Sequence, residues 1–312
     1  MSIAFISFSC NKNDDKITPP SKQNPQTATS TTASTATQTF VTTWSKLEVR
    51  FTKGHSHGYF HGNPDYPVKY LKTVQHFYFN NVNGVPTPAA NNPTAIRWEG
   101  ADVVEEDHHD DEDEEEHHHH SNAGVSLYGI ELIFYDASGK RINTMLSTGN
   151  NPNHYQFFFV ANNFVAVASN TTVPTQAEAL NYKYRDTNPE ELYIKGGAGI
   201  DKNPNAPKGV LRQEQIGLKG FFEVKRTYIN FDLRIILGYF SSKPADLAYN
   251  TVPNNKILDV KIPIHIYTDI LKEYKQVEDA MREFGVSQEE IEKDQSDILA
   301  SNLSPESSGT FL

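Results

Sequence analysis

The chain has 312 residues, of which 37% are hydrophobic and 11% aromatic, enough to form a sizeable core in one large or two ordinary domains. The formal net charge is −11, and no basic patch is visible, which argues against nucleic acid as a partner. The single cysteine excludes an internal disulfide and a zinc site built from cysteines.

The N-terminal sequence predicts a lipid anchor. Residues 1–10 read MSIAFISFSC, a short apolar run that ends in small residues at Cys10. This resembles the end of a bacterial lipoprotein signal peptide, although it lacks a basic n-region and its apolar part is short. The resemblance implies a lipidated Cys10, whose acyl chains add ~0.8 kcal/mol of membrane affinity per buried methylene. No other stretch approaches the ~20 apolar residues of a membrane span.

The residues after Cys10 indicate where the anchored protein resides. Lys12, Asp14 and Asp15 resemble the short acidic export tract of some Gram-negative surface lipoproteins. The resemblance implies an outer-membrane protein that faces the cell surface, and a periplasmic orientation stays open. Residues 11–39 are rich in Thr, Ser, Pro, Gln and Asn and predict a disordered tether, because they cannot bury enough apolar surface to offset their chain entropy.

The folded part is predicted to be mostly β, a β-sandwich-like body with a C-terminal helical tail. Short β-branched or aromatic segments bounded by Gly, Pro and Asn are typical of strands. They lie at 47–51, 76–81, 95–98, 125–135, 155–163, 180–186, 215–225, 228–240 and 256–268. The division is a β domain over 40–172 and a second β domain or half over 173–268. A weak Leu-x-Gly repeat, at 125–132 and 216–223, leaves an internal duplication open.

The C-terminal residues 269–312 change to a helical pattern. Apolar residues recur every three or four positions between 270 and 284, which predicts an amphipathic helix that ends at Gly285. Ser287 and Glu290 form a capping-box signature for a second helix. We expect these helices to pack on the sheet or contact a partner, and the end of the chain to be disordered.

An acidic and histidine-rich strip occupies residues 105–120, EEDHHDDEDEEEHHHH. Its charges are too many to bury in a core without partners. Imidazole and carboxylate groups are ligands for zinc, copper and nickel, whereas calcium does not favour imidazole. The strip resembles the mobile loops of bacterial zinc-binding import proteins, and the alternative is a solvated loop without a ligand. Its six histidines are His108, His109, His117, His118, His119 and His120.

A second histidine cluster, GHSHGYFHG at 54–62, is the predicted primary metal site. His55 and His57 are two residues apart and would project to one face of an extended segment. Three glycines give the backbone room to bring His61 to the other two. Three imidazoles and a fourth ligand would complete a tetrahedral zinc shell. The fourth ligand is Asp65, His76 or a residue of the strip, and His154 is a further candidate. The alternative is a Gly-rich loop whose histidines only form hydrogen bonds.

No catalytic motif is present, so the chain is not expected to be an enzyme. The sequence predicts a lipid-anchored protein that binds a divalent transition metal, with zinc favoured and copper or nickel open. It would capture ions for an outer-membrane receptor or importer. The alternatives are an adhesin-like or carbohydrate-binding β-module with a solvated acidic loop, and haem capture by paired histidines.

Overall fold

A computed structural model describes residues 35–56, 60–62, 74–100, 126–167, 172–194 and 205–268, with the short pieces 277–278, 281–282 and 287–289. The predicted lipoprotein segment and the strip lie outside these residues. Within them the chain is mostly β, as the sequence predicts.

Thirteen strands and three α-helices are described. The strands are β1 (Lys46–Ser56), β2 (Phe60–Gly62), β3 (Val74–Val82), β4 (Val85–Pro88), β5 (Ile96–Gly100), β6 (Ser126–Tyr135), β7 (Tyr155–Ala166), β8 (Leu180–Tyr184), β9 (Thr187–Asn188), β10 (Val210–Leu211), β11 (Lys219–Val224), β12 (Ile229–Tyr239) and β13 (Lys256–Thr268). The helices are α1 (Thr35–Thr43), α2 (Thr144–Ser147) and α3 (Gln176–Ala179), with a 3-10 turn at Asn151–Asn153.

The described strands form two large sheets. The seven-stranded sheet has the order β4-β3-β1-β6-β11-β8, with β2 also paired to β1, and its neighbours are antiparallel. The four-stranded sheet has the order β5-β13-β12-β7, in which β5 runs parallel to β13. Each sheet combines strands from before and after residue 173, so the two predicted halves share one core.

The two sheets pack through their apolar faces, which is why strand alternation was informative. In β1, Val49 and Phe51 are fully buried in the core, whereas Arg50 between them is partly exposed on the other face. Aromatic rings join the sheets: Phe159 of β7 lies 4.2 Å from Tyr182 of β8, measured between ring centroids. The predicted sandwich-like arrangement is therefore what the described residues adopt.

Helix α1 begins at Thr35, inside the segment predicted to be a disordered tether. Phe40 is 1% exposed, and its ring meets that of Phe134 edge to face at 5.1 Å. Trp44 follows the helix and packs on the same ring at 5.9 Å. The folded part thus starts earlier than predicted, because burial of one aromatic side chain orders the residues before it.

The predicted helical tail is described only in pieces. Residues 277–278, 281–282 and 288–289 are helical. Among the residues that the structure describes, no helix is both long and apolar enough to span a membrane.

Candidate functional site

Strands β1 and β2 form a hairpin that carries two of the three predicted primary ligands. The register makes His55 the direct cross-strand partner of His61. Directly opposite residues of an antiparallel pair have Cβ atoms ~4.5–5.5 Å apart. Two nitrogen ligands of one zinc ion are at most ~4.2 Å apart, since each Zn–N bond is ~2.0–2.1 Å. Opposite positions of a hairpin therefore suit two imidazoles on one ion. Strand β1 ends at Ser56, before His57.

The two sheets end together beside this hairpin. In the seven-stranded sheet, Gly54 of β1 pairs with Leu127 near the start of β6. In the four-stranded sheet, β5 ends at Gly100. An ion pair between Lys53 of β1 and Glu99 of β5 connects the sheets at this level. We call this end of the sandwich, where β1 and β5 finish and β6 begins, the hairpin end.

The acidic and histidine-rich strip is attached at the hairpin end. Residues 101–125, which contain the strip, connect β5 to β6 and lie outside the described residues. Gly100 immediately precedes this connection, and Ser126 immediately follows it. Ser126 comes one residue before Leu127, and Leu127 is the cross-strand partner of Gly54. Because the strands are antiparallel, Ser126 lies level with His55, the residue after Gly54. Both attachment points of the strip segment therefore lie at the end that carries the His55 and His61 pair.

A small apolar cluster holds β2 against the sheet. Phe60 is fully buried together with Leu127 and Phe221, and Tyr193 packs against the three. The rings of Phe60 and Phe221 are stacked with centroids 5.6 Å apart. Full burial of a phenylalanine contributes about 1.5–3 kcal/mol. This cluster consequently fixes a three-residue strand that includes His61.

His76 lies on β3, away from the hairpin pair. It pairs with Arg50, five residues before His55 in β1, which corresponds to roughly 17 Å along the strand. Its Nδ1 lies 3.0 Å from Oε1 of Glu48, and its ring stacks on Tyr78 with centroids 6.0 Å apart. The structure thus does not bring His76 to the pair.

His154 lies at the opposite end of the sandwich. It precedes β7, whose first residue Tyr155 pairs with Tyr239, the last residue of β12. Strand β12 begins beside the end of β13, at the hairpin end, and is roughly 33 Å long. The length of β12 therefore separates His154 from the hairpin end. The Nδ1–H group donates to the Phe240 carbonyl at 2.9 Å, and Asn150 Nδ2 donates to Nε2 at 2.9 Å. Both ring nitrogens are engaged in structural hydrogen bonds.

The remaining predicted ligands cannot be placed by their side chains. Within the part of the chain that is described, no group of three or more His, Cys, Asp or Glu side chains could hold a metal ion. Cys10, His57, Asp65 and the six histidines of the strip lie outside that part, as do the side chains of His55 and His61. These assignments stay predictions, to which the structure adds a backbone register.

An ionic network on the outer face of the seven-stranded sheet was not predicted. Glu48 is 6% exposed and accepts hydrogen bonds from His76 Nδ1 at 3.0 Å, Tyr135 OH at 2.9 Å and Arg50 Nη2 at 3.1 Å. Burial alone would raise the pKa of Glu48, but the hydrogen bonds from His76 and Tyr135 and the charge of Arg50 lower that pKa to about 2.

The network continues to the segment that follows β8. Arg50 also reaches Glu131 at 3.5 Å, and Glu131 accepts from Arg141 at 3.0 Å and from Tyr193 OH at 2.8 Å. Arg141 in turn pairs with Glu190. Burial and the neighbouring Glu131 charge raise the pKa of Tyr193, so its hydroxyl stays a donor. These contacts position Tyr193 against the apolar cluster under the hairpin.

Two further buried charged residues, Lys219 and Asp186, hold the segment that follows β8 in place. Lys219 Nζ donates to Thr187 Oγ1 at 2.8 Å and to the Leu192 carbonyl at 2.7 Å, and burial lowers the pKa of Lys219. Asp186 accepts backbone N–H bonds from residues 216, 217 and 219 at 2.7, 2.6 and 3.0 Å. Burial raises the pKa of Asp186, and these bonds offset only part of that effect. The network is a scaffold of satisfied charges.

One signal in the sequence marked this face. Lys46, Glu48 and Arg50 alternate with buried residues in the first strand, so a polar face was readable there. Their partners Glu131 and Glu190 are distant in sequence, and no local pattern connects them.

No protein-family model matches the chain, and no curated protein or solved structure is significantly similar to it.

Proposed function

We propose that the protein is a lipid-anchored carrier that binds a divalent transition metal, with zinc as the preferred ion and copper or nickel as alternatives. One observation carries the proposal: His55 and His61 are direct cross-strand partners in the β1–β2 hairpin. Imidazole is a common ligand for all three metals. His55 and His61 would hold the ion, with His57 as the third imidazole.

The position of the strip supports a capture role. Its connection begins after Gly100 and ends before Ser126, at the hairpin end. Contiguous like charges repel one another, so the strip would not form a preformed site with fixed ligands. It would therefore bind ions weakly and exchange them fast. Weak sites tethered beside a stronger one raise the local ion concentration there. The strip would collect ions and the hairpin would retain one of them.

The hairpin is suited to retention because β2 is packed against the sheet through a buried side chain. Phe60 anchors β2 in an apolar cluster, and Tyr193 is held against that cluster by the ionic network. Metal ligands that are fixed by their surroundings bind more tightly than ligands that must be ordered first. Release would follow from protonation of the imidazoles or from competition by a receiving protein.

The cellular setting is proposed from the N-terminal sequence. Cys10 would carry the lipid, Asp14 and Asp15 would direct the protein to the outer face of the outer membrane, and the Thr-rich residues after them would serve as a tether. The receiving partner would be an outer-membrane receptor or importer. No chemical reaction is part of this proposal.

Isothermal titration with zinc at pH 7.5 tests the proposal. The reference protein is the full chain with Cys10→Ser, which cannot be lipidated. It is compared with a deletion of 105–120 and with His55→Ala/His57→Ala/His61→Ala. A matched control removes three histidines of the strip, through His108→Ala/His109→Ala/His117→Ala.

We expect one tight site that is lost only in the hairpin variant, and weaker sites that are lost in the deletion. The control should keep the tight site. Heat from the strip alone would contradict the hairpin site and leave a metal buffer. No specific heat from any variant would contradict metal binding, and binding to a glycan array would then support the carbohydrate-binding alternative.

A further inference from the structure

We propose that the sheet edges at β4, β5 and β7 are closed against strand pairing with a second copy of this chain, and that Pro86 and Pro88 close the edge at β4. The inference goes beyond the proposed function and does not depend on metal binding. An edge strand presents unpaired N–H and C=O groups that can pair with a strand of another molecule. Copies anchored in one membrane would meet often, so an open edge would join them.

Strand β4 is the outermost described strand on its side of the seven-stranded sheet, and it is largely exposed. The Ala89 N–H group, just after β4, donates to the Tyr78 carbonyl of β3 at 3.0 Å. Backbone groups in an antiparallel pair alternate between facing the partner strand and facing away from it. Because Ala89 faces β3, every second residue before it also faces β3. Pro86 and Pro88 therefore face away, on the open side that we call the β4 edge.

The two prolines deprive the β4 edge of its donors. Proline has no N–H group, so an added strand would find acceptors here but would leave its own carbonyl groups unpaired. Proline at an edge is one of the means by which proteins prevent sheets from joining. Asn92 closes the next position, just beyond β4. Its side-chain amide accepts from the Tyr78 N–H group at 2.7 Å and donates to the Tyr78 carbonyl at 2.7 Å.

The same amide arrangement recurs at both edges of the four-stranded sheet. At β5, Gln75 Oε1 accepts from the Arg97 N–H group at 2.9 Å, and Gln75 Nε2 donates to the Arg97 carbonyl at 2.6 Å. At β7, Gln176 Oε1 accepts from the Ala161 N–H group at 3.0 Å, and Gln176 Nε2 donates to the Phe159 carbonyl at 2.9 Å. A side-chain amide offers a donor and an acceptor, as a peptide group does. Each glutamine thus occupies a position that a neighbouring strand would take.

Further single groups bond to the β7 edge. The Phe157 N–H group donates to the Ile216 carbonyl at 2.7 Å, and the Phe159 N–H group donates to the Tyr249 carbonyl at 2.7 Å. The Tyr184 hydroxyl donates to the Phe157 carbonyl at 2.7 Å. A second copy would have to break these bonds before it could pair with β7. At β4 it would only need donors, so substitution of the prolines is the direct test.

The test supplies the β4 edge with donors. Pro86→Val/Pro88→Val adds two N–H groups and two residues that favour strands. Thr87→Val is the matched control, because it makes the same strand more apolar without adding a donor. All variants are made in the full chain with Cys10→Ser. Sedimentation equilibrium measures their mass over about a hundredfold range of concentration. Physiological salt screens the net charge of −11, and a chelator excludes association through metal ions.

We expect the parent protein and Thr87→Val to keep the mass of one chain at every concentration. The mass of Pro86→Val/Pro88→Val should rise with concentration to about twice that value or more. Val85 is 62% exposed, and adding Val85→Lys to the double variant should restore the mass of one chain, because charge on an edge strand opposes pairing. Each single proline substitution adds one donor and should give part of the effect, which keeps the test valid if the double variant does not fold.

Three results would overturn the inference. They are a folded Pro86→Val/Pro88→Val variant, checked by circular dichroism, that stays at the mass of one chain; a parent protein that already associates; and a Thr87→Val variant that associates as strongly as the double variant. The last result would mean that apolar surface, and not the missing donors, controls association. Because metal is absent throughout, none of these outcomes bears on zinc binding at the hairpin, which the titration tests separately.

Discussion

Replacement of Glu48 by glutamine tests whether the ionic network stabilises the sandwich. Glu48 accepts hydrogen bonds from His76, Tyr135 and Arg50, and its pKa in the folded protein is about 2 against an ordinary value of 4.5. Glutamine keeps the size and one acceptor oxygen but carries no charge. The variant therefore removes the charge and also one acceptor oxygen, because the amide NH2 group cannot accept a hydrogen bond from Tyr135, His76 or Arg50.

The magnitude follows from the lowered pKa. A pKa that falls from 4.5 to about 2 on folding corresponds to at most about 3 kcal/mol of stability at neutral pH. The side chains of Arg50 and His76 are 34% and 29% exposed, so solvent screens part of this interaction. We expect Glu48→Gln to lower the free energy of unfolding by about 1.5 kcal/mol at pH 7.

The effect should depend on pH in one direction. Because the folded pKa lies below the unfolded one, the stabilisation is complete above about pH 5 and is lost as the pH falls from about 4.5 towards 2. Urea unfolding at pH 7 and pH 3.5 measures it, with the exposed Glu191→Gln as control. The difference between wild type and Glu48→Gln should shrink at pH 3.5. An equal loss at both pH values, or no loss at pH 7, would refute the reasoning.

Three further predictions concern the hairpin and its support. Zinc affinity should fall roughly 100-fold between pH 7.5 and 5.5 in the strip-deleted protein, because His55 and His61 bind metal as neutral imidazoles; equal titration curves would contradict this. Phe60→Ala should lower the free energy of urea unfolding by about 3–5 kcal/mol through the cavity it leaves. It should also weaken zinc binding, whereas Phe60→Leu should retain most of both; an unchanged zinc affinity in Phe60→Ala would show that the cluster does not support the site. Asp186→Ala leaves the N–H groups of residues 216, 217 and 219 without their acceptor and should lower stability by about 3 kcal/mol in thermal unfolding. A change below 1 kcal/mol would mean that water replaces the carboxylate.

The strands were predictable because their pattern is local. The segment 256–268 was predicted as a strand and is β13, Lys256–Thr268, and its apolar positions alternate as a half-buried strand requires. Pairing was not predictable in the same way. Strand β5 runs parallel to β13, which lies far along the chain. No sequence feature of either segment identifies the other as its pairing partner.

Helix α1 shows where local preference gives the wrong boundary. Its sequence TATQTFVTT is rich in threonine, a poor helix former, and its neighbourhood reads as a tether. Phe40 is nevertheless buried against Phe134, and tertiary packing overrides the weak propensity. A contact with a residue so distant in sequence cannot be inferred from the helix alone.

The candidate site was also predictable only where its pattern is local. The spacing of His55, His57 and His61 was readable from the sequence, and Gly54 and Gly62 are cross-strand partners beside the His55 and His61 pair. Lys53 and Glu99 could not be connected from the sequence, because their contact bridges two sheets. Local motifs indicate candidate ligand types, whereas contacts between distant residues, such as that of Lys53 with Glu99, follow from the fold.

The most direct measurement is anomalous diffraction at the zinc absorption edge from crystals of the strip-deleted protein with one equivalent of zinc. We expect one strong peak at the hairpin end, within bonding distance of imidazole nitrogens of both His55 and His61. A peak elsewhere, or a peak that contacts neither histidine, would show that the hairpin is not the metal site.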